Sequence, residues 1–310
     1  MSCDEFATQR AVVWDNSALI ELGTFGGPNS IPYGQTSRGE VVGYAETSEI
    51  YQENEHVWRP FLWLDGTLHD LGTLGGPFGA ASSVNAHGTV VGICLPAEED
   101  PRLQRIPTRA CLWEDSEIRD LGDLGGPETY AYDINTRGWI VGSSTTAEPW
   151  GSYFVEHAFL HDGRVMRDLG TLGGLASGAS SLNERGVVVG WSLTGEFWPS
   201  GYPVTHALRW ESGVLSNLPS LGGPFSMAFD INSNGLIVGL SYAVVSPVYT
   251  QARAVLWDGD TIVDLNGVTD QDGGWALERA TAIDDRGRIL ANAHREGQSW
   301  IVLLIPISAE

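Results

Sequence analysis

The sequence predicts an all-β protein made of one short unit that recurs along the chain. Nearly the same glycine-rich segment occurs five times, at 22–28, 71–77, 121–127, 169–174 and 218–224. A ring-bearing residue recurs with it at intervals of 47 to 50 residues, at Trp14, Trp63, Trp113, His161, Trp210 and Trp257. A period of this length is typical of proteins whose units bury their core against each other. We therefore expect six units in one domain that spans 1–310.

Each unit contains four short segments with the composition of β-strands. In the second unit these are 59–63, 67–71, 81–84 and 89–94, separated by the Asp65-Gly66 turn, the glycine-rich segment and an Asn-x-x-Gly turn. Short runs rich in Val, Ile, Leu and aromatic residues between such turns indicate hairpins. Four antiparallel strands repeated six times predict a six-bladed β-propeller. The alternative, a β-solenoid, usually repeats in shorter units.

Side-chain size predicts the order of strands in a blade, because strands near the axis are crowded. The runs with the smallest residues, expected as inner strands, lie near 33–37, 81–85, 131–135, 179–183, 228–232 and 280–284. The Val-Val-Gly runs come second, the Trp-containing runs third and the Asp-Leu-Gly runs outermost. The glycine-rich segments are interpreted as turns, since no helix or Lys-Ser/Thr pair follows them as in a phosphate-binding loop.

The two ends of the chain are expected to close the ring together. The chain begins with a third-strand run at 10–14 and ends with another copy at 300–305. Both termini would then share the last blade, with 18–22 as its outer strand, because an unpaired sheet edge is a liability. The run at 10–14 is one strand more than six complete blades need.

Charge and composition exclude several classes of partner. With 17 basic and 39 acidic residues the net charge is −22, which repels nucleic acid and anionic lipid. No apolar run approaches the roughly 18 to 20 residues that span a bilayer. The N-terminus lacks the apolar core of a secretory signal, so we expect a cytoplasmic protein. Cys94 and Cys111 flank one hairpin and are interpreted as small buried residues without a disulfide.

The repeat resembles a known family. Its Leu-Gly-Thr-Leu-Gly-Gly element, its Asn-x-x-Gly-x-[Ile/Val]-Val-Gly element and the His-Ala-Phe-Leu element at 157–160 are similar to the HAF-repeat family of bacterial proteins. The final Leu-Leu-x-Pro at 303–306 resembles the end of that family. The resemblance implies a β-propeller, and it implies no catalytic residues because the family is defined by its repeat.

Two sets of polar residues are candidates for chemistry. One position at the start of each third strand is basic, and we expect it to bond a carbonyl or an acid of a neighbouring strand: Arg10, Arg59, Arg109, His157, His206 and Arg253. His157 and His206 lack zinc-ligand spacing, so no metal or other cofactor is expected, but both remain candidates for acid/base catalysis. Asp133 and Asp230 break the pattern of the first strands. They either bond backbone amides or act as an acid/base pair.

The loops from second to third strands are the least repetitive part of the sequence. They contain aromatic residues that we expect to bind a ligand: Tyr51, Trp58, Trp150, Tyr153, Phe197, Trp198, Tyr202 and Tyr249. Glu156 and Glu196 lie beside them and would be general acids if buried among the rings. Alternatively, the aromatic residues fold down over their own blades. Exposed rings with acids suit a cationic, polycyclic or sugar-like ligand.

These observations predict a small-molecule-binding protein, with an acid/base enzyme (a cyclase, isomerase, lyase or hydrolase) as the catalytic form of that hypothesis. The alternative is a protein-interaction scaffold that uses the same loops. A deep aromatic pocket would favour the first and a flat apolar patch the second. The oligomeric state is left open.

Overall fold

The structure is a computed structural model that describes residues 8–15, 18–52, 55–150, 153–246, 249–269 and 273–307, without the side chains of 149, 150, 153, 154 and 249. Within these residues the fold consists almost entirely of β-strands and turns, with a short 3-10 turn at Leu265–Gly267. The chain forms two compact units, Met1–Ile140 and Val141–Glu310.

The strands of the first unit follow the predicted hairpins. They are β1 (Val12–Asp15), β2 (Ala18–Glu21), β3 (Gly26–Gln35), β4 (Val41–Ile50), β5 (His56–Leu64), β6 (Thr67–Asp70), β7 (Gly75–Val84), β8 (Val90–Pro96), β9 (Arg109–Glu114), β10 (Glu117–Asp120) and β11 (Gly125–Ile134). Strands β3–β6 form one antiparallel four-stranded repeat and β7–β10 form the next, in the predicted order. β1 and β2 form a hairpin of their own. The turn between β5 and β6 has Asp65 and Gly66 at φ 49° and 81°, as a two-residue hairpin requires.

The second unit repeats this pattern. Its strands are β12 (Ile140–Trp150), β13 (Tyr153–His161), β14 (Met166–Gly170), β15 (Ser177–Leu182), β16 (Val188–Phe197), β17 (Pro203–Glu211), β18 (Val214–Asn217), β19 (Gly222–Ile231), β20 (Ile237–Ser246), β21 (Tyr249–Asp258), β22 (Thr261–Asp264), β23 (Ala276–Ile283), β24 (Ile289–Arg295) and β25 (Gln298–Leu304). Strands β15–β18 and β19–β22 are four-stranded antiparallel repeats, and β23–β25 form a three-stranded sheet. β12 begins where the chain divides.

The core lies where second and third strands of a repeat face their neighbours. In the second unit, Val187, Val189, Ala207, Val255 and Trp257 form one fully buried cluster. Trp257 keeps its indole N–H satisfied by donating to the Pro219 carbonyl at 2.7 Å. The recurring valines are therefore core residues, and the ring-bearing position joins them in the core at Trp113 and Trp257.

The interpretation of the glycine-rich segments as turns was wrong in part. Their last two glycines and the following proline form the beginning of the first strand of a repeat. Strands β3 and β7 therefore start at Gly26 and Gly75, well before the expected starts near 33 and 81. Gly75 has φ 100°, which favours glycine. At Gly76 an added Cβ would lie 2.5 Å from the Pro96 carbonyl oxygen, so the backbones are too close for a side chain.

Neighbouring repeats within a unit are joined by the same hydrogen bonds. The amide of Ala207 donates to Ser226 Oγ at 2.9 Å, and the amide of Ala11 donates to Ser30 Oγ at 3.0 Å. In the Asn-x-x-Gly turns, Asn85 Oδ1 accepts from its own turn, while Nδ2 donates to the Asn135 carbonyl one repeat further on. These recurring polar residues therefore join neighbouring repeats.

Cys94 and Cys111 form a disulfide, so the prediction that they are unpaired was wrong. Cys111 lies opposite Gly92 in the β8–β9 pairing and Cys94 lies opposite Arg109, which places the cysteines diagonally on one face. Their Cα atoms are 6.0 Å apart, within the range that a disulfide spans. The sequence spacing alone could not fix this register.

Candidate functional site

A pocket in the second unit lies beside a loop that the sequence singled out. It has a volume of about 800 Å³, and its walls include Trp198, Tyr202, Thr205, Phe225 and Tyr242. The loop is a tight turn, in which the Tyr202 carbonyl accepts from the Trp198 amide at 2.8 Å and Gly201 adopts φ 86°. This turn places Trp198 and Tyr202 at one pocket.

The back of the pocket is built from the next repeat. Phe225 follows the glycine-rich segment, and its ring centroid lies 5.5 Å from that of Tyr242 in β20. Thr205 of β17 is paired in parallel with Phe225 of β19 at a single position. Because threonine is small, the space above Phe225 stays open.

The pocket walls are rings, prolines and hydroxyl groups. Three prolines (Pro199, Pro203 and Pro224) and the hydroxyl-bearing Ser200 and Thr250 complete them. None of the side chains lining the pocket in the described structure is charged. Such walls suit a planar, largely apolar ligand with a few polar atoms.

Glu196, which was predicted to lie among the rings of this loop, does not line the pocket. Glu196 is exposed at the end of β16, whereas the prediction had it buried among the rings, and its role as a general acid stays a prediction. Phe197 is also exposed, at 71%. Glu156 is half-buried in β13 and does not line this pocket, while the side chains of Trp150 and Tyr153, beside which it was predicted, lie outside the described residues.

His206 and His157 have different surroundings. Burial lowers the pKa of His206, and the charge of Glu196 opposes this shift. His206 Nδ1 lies 3.4 Å from Asn217 Nδ2, which can donate to a neutral imidazole. His157 Nδ1 instead donates to Asp168 at 2.8 Å. Burial raises the pKa of Asp168, but the hydrogen bonds from His157 and the Gly170 amide together lower it by more than burial raises it. The net shift of this pKa is therefore downward.

In several repeats the basic residue at the start of the third strand bonds a carbonyl or an acid, as the sequence predicted. Arg59 donates to the Gly76 carbonyl at 3.1 Å and to Thr73 Oγ1 at 3.0 Å. Arg109 pairs with Asp123 at 2.6 Å. Arg10 reaches the Gly27 carbonyl at 3.5 Å. These side chains brace the glycine-rich segments.

Asp133 and Asp230 each accept hydrogen bonds from a serine hydroxyl and from backbone amides. Asp133 accepts from Ser83 Oγ at 2.8 Å and from the Ile134 amide at 2.9 Å. Asp230 accepts from Ser181 Oγ at 3.1 Å and from the amides of Ile231 and Ile283, both at 2.8 Å. Burial raises the pKa of Asp230, although these hydrogen bonds oppose the shift. The amide-bonding alternative therefore describes their contacts, and their acid/base role stays a prediction.

A second aromatic pocket lies in the first unit. It measures about 610 Å³, and Trp58 is the predicted residue that lines it. Four tyrosines that sequence reasoning missed form most of its walls: Tyr33, Tyr44, Tyr130 and Tyr132. Predicted Tyr51 lies next to it, with its ring centroid 5.3 Å from that of Phe78. The missed residues lie on first and second strands. Tyr33, Ser82 and Tyr132 are equivalent positions in three successive repeats, and only the middle repeat has a small residue there. That substitution pattern was the available signal.

Three predicted ligand-binding residues, Trp150, Tyr153 and Tyr249, have side chains outside the described part of the chain. The described residues contain no cluster of His, Cys, Asp or Glu that could hold a metal ion. Over the same residues, no helix has the length and apolar character needed to cross a membrane.

The fold is similar to that of a solved β-propeller. The β-propeller domain of the Trilobed protease from Pyrococcus furiosus, described as revealing an open velcro topology, superposes with a TM-score of 0.55 at 13% identity. The match covers 89% of this chain and 80% of that one. No protein-family model matches the chain, and no curated protein sequence does. At this identity the likeness extends to the fold alone, so the all-β chain has a β-propeller fold.

Proposed function

We propose that this protein binds a small molecule in the pocket formed by the Trp198–Tyr202 turn and the Phe225–Tyr242 wall. The observation that carries the proposal is Thr205, which leaves a space of about 800 Å³ above Phe225 where a larger side chain would close it. That volume is within the range of ligand sites in proteins. The neutral lining favours a planar, uncharged ligand.

The proposal concerns binding rather than catalysis. Acid/base chemistry by Glu156, Glu196, His157 or His206 remains a hypothesis, and among these the half-buried His206 adjoins Thr205 in the chain. The protein-interaction scaffold remains the alternative, which a concave aromatic pocket supports less than a flat apolar patch would. We keep the expectation that nucleic acid and membranes are not partners, which rests on the net charge of −22.

The finer architecture belongs to the same proposal. We propose six blades of the HAF-repeat type, the last assembled from both termini. The segment that leads into β1 bonds to β3 as a third strand does elsewhere, since the Ser30 amide donates to the Gln9 carbonyl as the Thr129 amide does to the Thr108 carbonyl. The sheet β23–β25 supplies first, second and third strands. Both β1 and β25 are then third strands, so one third strand is left over after six complete blades. Deleting 300–310 should cause aggregation, and an unchanged cooperative melt would contradict this closure.

The cytoplasmic location also remains an expectation. The Cys94–Cys111 disulfide weighs against it, because disulfides persist mainly in oxidising compartments. Thiol titration of the protein isolated from its native cell, with and without denaturant, distinguishes the two locations.

Filling the pocket tests the binding proposal. The variant Thr205→Trp places in this repeat the side chain that Trp58 provides in the first unit, and the matched control Thr108→Trp alters the corresponding position of another repeat. Binding of neutral planar fragments, with Nile red as the fluorescent probe, should weaken at least roughly tenfold in Thr205→Trp and stay unchanged in the control. Equal binding by both variants, or no binding by the wild type, would reject the pocket.

A further inference from the structure

The aromatic pocket of the first unit has a shape set by one small residue in the repeat. Tyr33 lies one residue after Pro32, which pairs with Gly43, and Ser82 lies one residue after Ala81, which pairs with Gly92. These two positions are therefore equivalent, and Tyr132, one residue after Ala131, takes the same place in the next first strand. Ser82 between two tyrosines leaves a slot with aromatic sides.

One side of the slot is a continuous curved wall of rings. The Tyr33 and Tyr44 centroids are 6.0 Å apart, and those of Tyr44 and Trp58 are 5.1 Å apart, with interplanar angles of 45° and 50°. Trp58 is held from behind by stacking on Phe78 at 5.0 Å. Tilted neighbouring rings form a concave surface, and the stacking fixes its far end.

The opposite side is flat. Tyr130 and Tyr132 lie on one face of β11 with centroids 6.4 Å apart and planes only 12° from parallel. The base between the two sides consists of Ala80, Ser82 and Ile93. Tyr33 and Tyr132 remain 58% and 42% exposed, so ring area is available to a ligand.

The charges around the slot favour a cation. Its lining contains no charged side chain in the described structure, and its hydroxyls are those of tyrosines and Ser82. Burial raises the pKa of Tyr44, and nearby Tyr33 and the carboxylate of Glu46 raise it further, so the phenol stays neutral. Glu46 accepts the amide and the side-chain N–H of Asn29, both at 3.0 Å, and keeps its charge close to the wall. Glu128, near Tyr130, is instead paired with Arg105 at 2.8 Å.

We propose that this slot is a second ligand site, specific for an organic cation with a methylated or delocalised ammonium group. The faces of tyrosine and tryptophan attract such cations, and an ammonium without N–H groups needs no hydrogen-bond acceptor. The surplus of 22 negative charges raises the local concentration of cations. A neutral sugar would need paired polar side chains in the slot, and its lining offers only single hydroxyls.

Two probes of the same shape separate charge from apolar contact. Choline and its uncharged carbon analogue 3,3-dimethylbutan-1-ol are titrated by calorimetry and by saturation-transfer NMR of their methyl groups. We expect choline to bind at least roughly tenfold more tightly than the alcohol. Equal affinities, or no saturable binding of choline, would overturn the proposal.

Variants locate the site. Ser82→Tyr introduces the tyrosine that both flanking repeats have at this position. It should abolish choline binding by filling the slot, and it should not lower the melting temperature. Tyr44→Leu should weaken binding at least roughly tenfold, whereas Tyr44→Phe, which keeps the ring, should retain it. Trp198→Leu in the other pocket is the control and should leave choline binding unchanged. Choline binding that is indifferent to both Ser82→Tyr and Tyr44→Leu would place the cation elsewhere and reject the slot.

Discussion

Two contacts between successive repeats, one in each unit, have the same backbone and opposite outcomes. In the first unit Trp58 is paired in parallel with Phe78, and the two rings stack at 5.0 Å. In the second unit Thr205 is paired in the same way with Phe225, and the space beside it is a pocket. The repeat therefore fixes where a recess can form, while one side chain decides whether it is filled. Function in such a scaffold depends on departures from the repeat.

The surroundings of the two contacts differ as well. In the first unit the repeat that carries Phe78, β7–β10, contains the Cys94–Cys111 disulfide. In the second unit the position of Cys94 is taken by Ser241, whose Oγ accepts the Leu221 amide at 2.9 Å, and the position of Cys111 by Val255. A covalent bond thus replaces a hydrogen bond of the repeat. The two contacts should respond differently to the same treatments.

Removing the disulfide should have the largest effect. Replacing Cys94 and Cys111 by Ala opens a loop with a sequence separation of 17 and should lower the free energy of unfolding by about 3 kcal/mol. Amide exchange should increase in β8 and β9 and not around Thr205. Thermal melts with and without reductant check the prediction, and variants as stable as the oxidised wild type would contradict it.

Emptying the filled contact should have the next largest effect. Trp58→Thr gives the first unit the residue of the second, and loss of the stacked ring should cost about 2 kcal/mol. It should also create a new binding site for Nile red beside Phe78. Trp58→Phe keeps a ring there and is the control. If Trp58→Thr gains no dye binding, the equivalence of the two contacts is wrong.

A smaller loss is expected at Asp230, which joins the repeats around the open contact. Asp230→Ala leaves the amides of Ile231 and Ile283 without their acceptor and should cost about 1 to 2 kcal/mol. Ligand binding in the Trp198 pocket should persist below the melting temperature. A variant with wild-type stability and lost turnover would instead support the acid/base role.

The smallest effect is the pH dependence from His206. Burial lowers its pKa, so the folded protein binds fewer protons there than the unfolded chain. Its contribution to stability is complete above the ordinary pKa of 6.5 and declines as the pH falls through that value toward the folded one. Melting temperatures of wild type and His206→Gln should converge on acidification. Parallel curves would show that His206 does not titrate with unfolding.

The sequence by itself determined the repeat, the β-strands and their order, because period, alternation and turn residues are local properties of the chain. It also pointed to Trp198, Tyr202 and Trp58, which line the two pockets, because the segments that contain them break the repeat. It missed Tyr33, Tyr44, Tyr130 and Tyr132, since these residues are far apart in the chain and meet only through strand register. Register and backbone approach likewise decided the disulfide, the strand start at Gly75 and the exposure of Glu196. These features depend on which side chains face each other across strands, which only the tertiary structure sets.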